Sequence, residues 1–220
     1  MYSLVLLATL AADPSPAQAA ALENKAPWSE MNTVDGITLY RREIKDNFYW
    51  EYRATTVTDV SLEALCTHVF HWGSKSKDHQ GMKLRRLVRD GDDERVTYDN
   101  IDEPIVASRD FAMTIKRTRD ADGTCRIPFF ANAAEAPPTP KGFVRIEKLW
   151  GGWTFSPRAD GKVDVNYTMF ADPAGSIPPF LVHGTQAERT RQSVKKAIAL
   201  ARTGEQRNKV AATEPAPAGK

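Results

Sequence analysis

The stretch from Val163 to Val182 constrains the fold more than any other part of the chain. Val163, Val165, Tyr167, Met169 and Ala171 share one parity, so they lie on one face of a strand. Asp172, Pro173, Ala174 and Gly175 then break that strand, because proline cannot extend a ladder and glycine permits a sharp turn. Pro178 and Pro179 open the next element, and no proline interrupts the residues from Phe180 to Thr203, which read as one long helix. A final strand therefore feeds a long C-terminal helix through a short elbow. Such a helix must bury its apolar positions against something large.

The rest of the chain supplies that surface. Ile37–Glu43 and Tyr49–Val57 read as strands, and Asp59 or Ser61 caps a helix that runs to His71. Strands follow at 82–89, 94–101, 109–119, 124–132, 143–148, 152–155 and 162–171, separated by turn residues such as Asp90-Gly91-Asp92 and Asp122-Gly123. Short links between successive strands imply an antiparallel sheet. The expected class is α+β, with a curved antiparallel sheet wrapped around the long C-terminal helix, a helix-grip arrangement.

The chain has 220 residues, which suits one domain with tails. Its formal net charge of +2 is small and evenly spread, which argues against a nucleic-acid partner. Ser3 to Ala12 is a short apolar run, and Ala17-Gln18-Ala19 fits a small-x-small cleavage site. Residues 1–19 are therefore expected to be a signal peptide, with a linker over 20–27, the domain over 28–203 and a disordered tail over 204–220. The expected location is periplasmic or secreted. Two cysteines, Cys66 and Cys125, permit a disulfide in an exported chain. Cys66 equally fits a small core residue, because it falls on the stripe Leu62, Leu65, Cys66, Val69 and Phe70.

Phosphate-binding glycine loops, nucleophile elbows and zinc-protease helices are absent from the sequence. His68 and His71 sit three apart, with His79 beyond, but they read as a polar helix face, so neither metal nor cofactor is expected. Polar residues on apolar faces are more informative. Arg109 shares parity with Phe111, Met113 and Ile115, and Arg86 with Met82, Leu84 and Val88. Tyr98 and Asn100 share parity with Val96. A bare guanidinium in a dry core costs several kcal/mol, so Arg109 requires a ligand-filled cavity, a structural partner or a route to solvent.

Two of these segments carry a family likeness. Ser108-Arg109-Asp110-Phe111, and the elbow from Asp172 through Gly175 to Ile177-Pro178, resemble START (StAR-related lipid-transfer) domains. The resemblance implies a cavity between sheet and helix that binds and transfers a lipid, or another hydrophobic small molecule, without catalysis. On that reading Arg109, Tyr98, Asn100 and Tyr167 meet the polar end of the ligand. Phe111, Met113, Met169, Phe180 and His183 line the remainder. The acid that partners this arginine in sterol-carrying members has no counterpart near Gly81-Met82. The loop from Phe129 to Pro138 and the segment Ile177–Val182 are expected to flank the mouth and to touch a membrane transiently. The protein is expected to act as a monomer. The alternative is a helix-grip enzyme, cyclase/aromatase-like or hydrolase-like, using Arg109, Tyr167 and His183 on a hydrophobic substrate.

Overall fold

The computed structural model describes residues 26–71, 82–103, 106–175 and 177–213. The expected signal peptide and His79 lie outside the described residues. Among the described residues, eleven strands and two helices follow in the order β1 (Ser29–Val34), β2 (Ile37–Glu43), β3 (Trp50–Thr58), α1 (Leu62–Phe70), β4 (Met82–Asp90), β5 (Glu94–Glu103), β6 (Val106–Lys116), β7 (Thr118–Arg119), β8 (Cys125–Ala131), β9 (Phe143–Arg145), β10 (Leu149–Pro157), β11 (Val163–Ala171) and α2 (Pro179–Thr213). A short 3-10 turn occupies Ala133–Glu135.

The strands form one curved sheet in the order β1-β2-β3-β11-β10-β8-β6-β5-β4. The neighbours along that path are antiparallel, as the short links require. β9 departs from the expected meander: it is three residues long and pairs with β6 in parallel. It gets there because residues 132–142 form a loop long enough to carry the chain round.

β1 is not visible as a strand in the sequence, and the reason is physical. It lies at the sheet edge and is exposed along its whole length, so it has no buried face to impose alternation. Its turn does leave a mark. Asp35 and Gly36 both adopt left-handed backbone (φ 53° and 72°), the conformation of a two-residue hairpin turn, and Val34 pairs directly with Ile37.

α2 crosses the concave face. Ala187, Thr190, Val194, Ala197 and Ala201 recur at spacings of three and four and are all buried, so one stripe of small side chains lets the helix lie close to the sheet. The helix runs past Thr203 to Thr213, so the first part of the expected disordered tail is helical. Glu205, Gln206, Arg207 and Lys209 are good helix formers and nothing there breaks the ladder. Ser61 caps α1, its hydroxyl accepting from the Ala64 amide at 3.3 Å. Cys66 on α1 is joined to Cys125 on β8 by a disulfide, with both residues fully buried.

Candidate functional site

Strand register sorts every interior side chain. Across β5 and β6, Asp99 faces Phe111, Thr97 faces Met113 and Ile101 faces Arg109. Across β8, β10 and β11, Ile127, Trp153 and Tyr167 stand in line, as do Phe129, Gly151 and Met169. This is the concave face. Phe111, Ile115, Ile127, Phe129, Trp153 and Tyr167 belong to the main core, with Met113 and Met169 packed against it. Trp153 and Tyr167 stack with ring centres 4.1 Å apart. Burial pushes the Tyr167 phenol well above its usual range, only partly opposed by a bond with Ser193. Gly151 has no room for a side chain, which would run into the Thr168 carbonyl and the Phe129 ring.

An ion pair with both side chains buried sits on this largely apolar face. Arg85, opposite Asp99 in the register, grips it with two bonds: Nε to Oδ1 at 2.6 Å and Nη2 to Oδ2 at 2.7 Å. Thr97 Oγ1 donates to Asp99 Oδ2 at 3.2 Å. Both charged side chains are almost wholly removed from solvent. Burial raises the Asp99 carboxyl, and Arg85 pulls it back down without winning. In the sequence it is Arg86, not Arg85, that shares parity with Met82, Leu84 and Val88. β4 carries bulges between Met82 and Leu84 and between Leu87 and Arg89, and a bulge breaks parity. Arg86 therefore faces outward beside Tyr98, its guanidinium 5.6 Å from that ring.

Tyr98 and Asn100 do not join Arg109. They pair with Ala112 and Asp110, which puts them on the opposite, convex face. Tyr98 Oη donates to Asp110 Oδ2 at 2.9 Å. Arg145 reaches the same carboxylate through Nε (3.0 Å) and Nη2 (2.5 Å), and also donates to the Pro137 carbonyl. This network fastens the 132–146 loop to the outside of the sheet. Phe129, Phe130 and Ala131, which the sequence places both in the strand 124–132 and at the head of that loop, belong to the strand and are buried in β8. The next residues lean the other way, with Glu135 bonded to Arg89 of β4.

Arg109 is buried, as its parity requires, and its guanidinium turns to the elbow. Nε donates to the Pro173 carbonyl at 3.0 Å and Nη2 to that of Ala174 at 3.2 Å, while Nη1 bonds the Ala107 carbonyl. Ala174 and Gly175 are left-handed (φ 56° and 71°), and Asp172 Oδ1 accepts from the Ala174 amide at 2.9 Å. The start of α2 is fastened from β3 as well. Tyr49 Oη donates to the Ile177 carbonyl at 2.9 Å and Tyr52 Oη to that of His183 at 3.0 Å. Burial pushes the Tyr52 phenol up to about 12, which keeps it a donor. His183 stacks on Trp50 at 3.9 Å and places Nε2 3.0 Å from the Phe48 carbonyl; a carbonyl only accepts, so Nε2 carries the proton. Phe180 is turned to solvent and lines no interior surface.

Of the nine residues singled out from sequence, Phe111, Met113, Tyr167 and Met169 come together on the concave face. Arg109 and His183 serve the elbow, Tyr98 and Asn100 the convex face, and Phe180 the exterior. Arg85, Asp99 and Thr97 were missed. Among the described residues, no group of three or more His, Cys, Asp or Glu side chains could hold a metal ion.

The family model of the START domain matches residues 17–203. An uncharacterized protein of Pseudomonas aeruginosa is 30% identical over 174 residues, covering 76% of this chain and 83% of that protein. The phosphatidylcholine transfer protein of Mus musculus is 26% identical over 165 residues, covering 72% of this chain and 76% of the mouse protein. In three dimensions, a STAR-related lipid transfer protein from Xanthomonas axonopodis superposes with a TM-score of 0.71 at 27% identity, over 80% of this chain and 98% of that one. Human StAR-related lipid transfer protein 5 shares the fold with a TM-score of 0.70 at 18% identity, over 86% and 96%. This chain belongs to the START domain family.

Proposed function

We propose that this protein binds a lipid between the concave sheet face and α2, without covalent chemistry, and transfers it outside the cytoplasm. The observation that carries the reading is the fully buried Arg85–Asp99 pair on a largely apolar face. A buried ion pair is weak support for a fold, since apolar replacements of similar volume are often as stable or more so. It suits a ligand with one polar end: Arg85, Asp99 and Thr97 offer donors and acceptors to a head group, while Phe111, Met113, Tyr167 and Met169 offer apolar contact to its tail. Each Å² of tail removed from water contributes roughly 25 cal/mol. Relatives named for lipid transfer support the same reading. The Cys66–Cys125 bridge supports an oxidising compartment, because thiols in the cytosol are kept reduced.

The test is native mass spectrometry of the full chain purified from its own host. The expected result is a co-purifying lipid, released on activation. A double substitution, Arg85→Met with Asp99→Leu, should fold and carry a changed set of lipids, because no bare charge is left behind. Wild-type protein that holds no lipid, and takes none up from vesicles, would overturn the reading. N-terminal sequencing from the periplasmic fraction checks the location, with a start near Ala20 expected.

A further inference from the structure

Arg53 of β3 is a half-buried cation whose Nε meets no hydrogen-bond acceptor. The register places it on the convex face, since its neighbours Tyr52 and Ala54 pair with Met169 and Tyr167 on the concave side. Its guanidinium lies 4.6 Å from the ring of Trp28, just before β1, and 4.4 Å from that of Tyr40, opposite it on β2. Burial lowers the Arg53 pKa, against the pull of Tyr40 and Glu51. Glu51 is itself bonded to Arg42, which lies 4.5 Å from Trp28. Two rings therefore fix the Arg53 fork, and the carboxylate two residues away belongs to another arginine.

The ground around it is open, polar and mostly uncharged. Thr38, Thr55, Asn166 and Thr154 stand opposite one another across β2, β3, β11 and β10, and Arg53 faces Thr168 in the next row. Gly152 faces Thr168 in turn, so a shallow trough follows that hydroxyl. The four strands span roughly 14 Å. Both helices pack on the other side: α1 is joined to Cys125, which shares parity with Ile127, and α2 crosses the concave face. Glu30, opposite Tyr40, is two strands away from Arg53, and Arg126 at the far end is bonded to Asp120. Threonine is an ordinary residue on an exposed strand, but an arginine fixed among hydroxyls with an unmet donor is not.

These groups specify a ligand. A guanidinium stacked on rings presents its edge, which fits the two oxygens of a carboxylate. One such cation suits one negative charge, and Glu30 repels a second at the β1 rim, so nucleic acid and other polyanions do not fit. Hydroxyls and an amide in an open row offer donors and acceptors to a partner that carries both, as a sugar does at every ring. No pocket encloses them, so an extended chain fits better than a small molecule, which is buried over most of its surface when bound. A stable protein partner needs roughly 800 Å² per side with a largely apolar centre, and the centre here is polar. We infer that the convex face of β2, β3, β11 and β10 binds an extended glycan carrying isolated carboxylates, with Arg53 gripping a carboxylate and Thr55, Asn166 and Thr168 bonding the sugar hydroxyls. The site lies across the sheet from the concave face and is independent of the lipid-carrier reading.

Nuclear magnetic resonance of the full chain tests this with hyaluronan tetrasaccharide, in which carboxylated and neutral sugars alternate. The expected result is a saturable shift of the Arg53 Nε–Hε signal together with the amides of Thr55, Asn166 and Thr168. Chitin tetrasaccharide, which has no carboxylate, should bind roughly tenfold more weakly, the scale of one charge-assisted hydrogen bond. Arg53→Lys keeps the charge and loses the fork, and should weaken hyaluronan binding as much without lowering the melting temperature. Thr168→Val removes one hydroxyl and should weaken the tetrasaccharide severalfold while leaving acetate binding unchanged. Wild-type protein with no saturable shift, or an Arg53→Lys variant that binds equally well, would overturn the inference. Acetate that binds as tightly as the tetrasaccharide would also overturn it, in favour of a carboxylate on any bearer, such as a protein side chain. Co-purifying lipid should be the same in every variant, so the fate of the glycan site and that of the carrier reading are read separately.

Discussion

Arg109 donates to the carbonyl oxygens of Pro173 and Ala174, in a turn whose left-handed backbone leaves those groups outside any strand ladder. Replacing Arg109 with leucine removes the donors and leaves the acceptors in place. Stability in urea unfolding should fall by about 1–3 kcal/mol, the cost of buried groups left without partners. Retained lipid in the folded fraction should change little if the side chain serves the elbow alone. The parity that buried Arg109 was legible in sequence, because Phe111, Met113 and Ile115 repeat it. The end point of a long side chain was not, since a guanidinium reaches several Å beyond its Cβ. Asp99 and Arg85 were illegible for another reason. Their meeting depends on the pairing of two strands, and the bulges in β4 scramble the local alternation that would have pointed inward.

Each element is fastened by few but specific contacts. The disulfide ties α1 to β8 across 59 residues of chain. Replacing Cys66 and Cys125 with alanine should cost about 2–4 kcal/mol in denaturant unfolding, chiefly by freeing the unfolded chain, and a reducing agent should do the same to the wild type. Sequence permitted this bridge without deciding it, because the burial pattern of α1 suits a cysteine in either state. On the far half of α2, Lys195 bonds Asp35 at 2.8 Å and Arg202 bonds Asp59 at 2.5 Å. These partners hold both carboxyls below the ordinary carboxylate range. A folded-state pKa lowered in this way contributes stability above the unfolded value, and that contribution is lost as pH falls through the lowered one. Asp35→Asn with Asp59→Asn should therefore lower the melting temperature at neutral pH, and the difference from wild type should vanish towards about pH 3.

For the molecule as a whole, the order of elements was legible and the order of strands in space was not. Periodicity and turn chemistry gave a strand-rich body followed by a long helix, and only one compact way exists to bury that helix. That β3 lies beside β11 leaves no local trace, because each strand alternates in the same way whichever neighbour it has. A chain ending before Pro179 would lose the helix and bare Ala54, Phe129, Trp153 and Tyr167 together. It is expected to aggregate, or to bind a hydrophobic dye without a cooperative melt, as dye titration with calorimetry would detect.

The β3–β11 pairing also fixes a timetable. As the chain is synthesised, β1 to β3 can zip into a hairpin stack and β4 to β10 into a second, larger piece. Neither can join the other until Val163–Ala171 arrives, and the helix that covers both comes last. Two half-sheets wait with open amide rows, and loop closure across more than half of the chain must precede the contacts that reward it. The nascent protein is therefore most at risk of wrong pairing until β11 and α2 have emerged, and shielding by a chaperone would matter most up to that point.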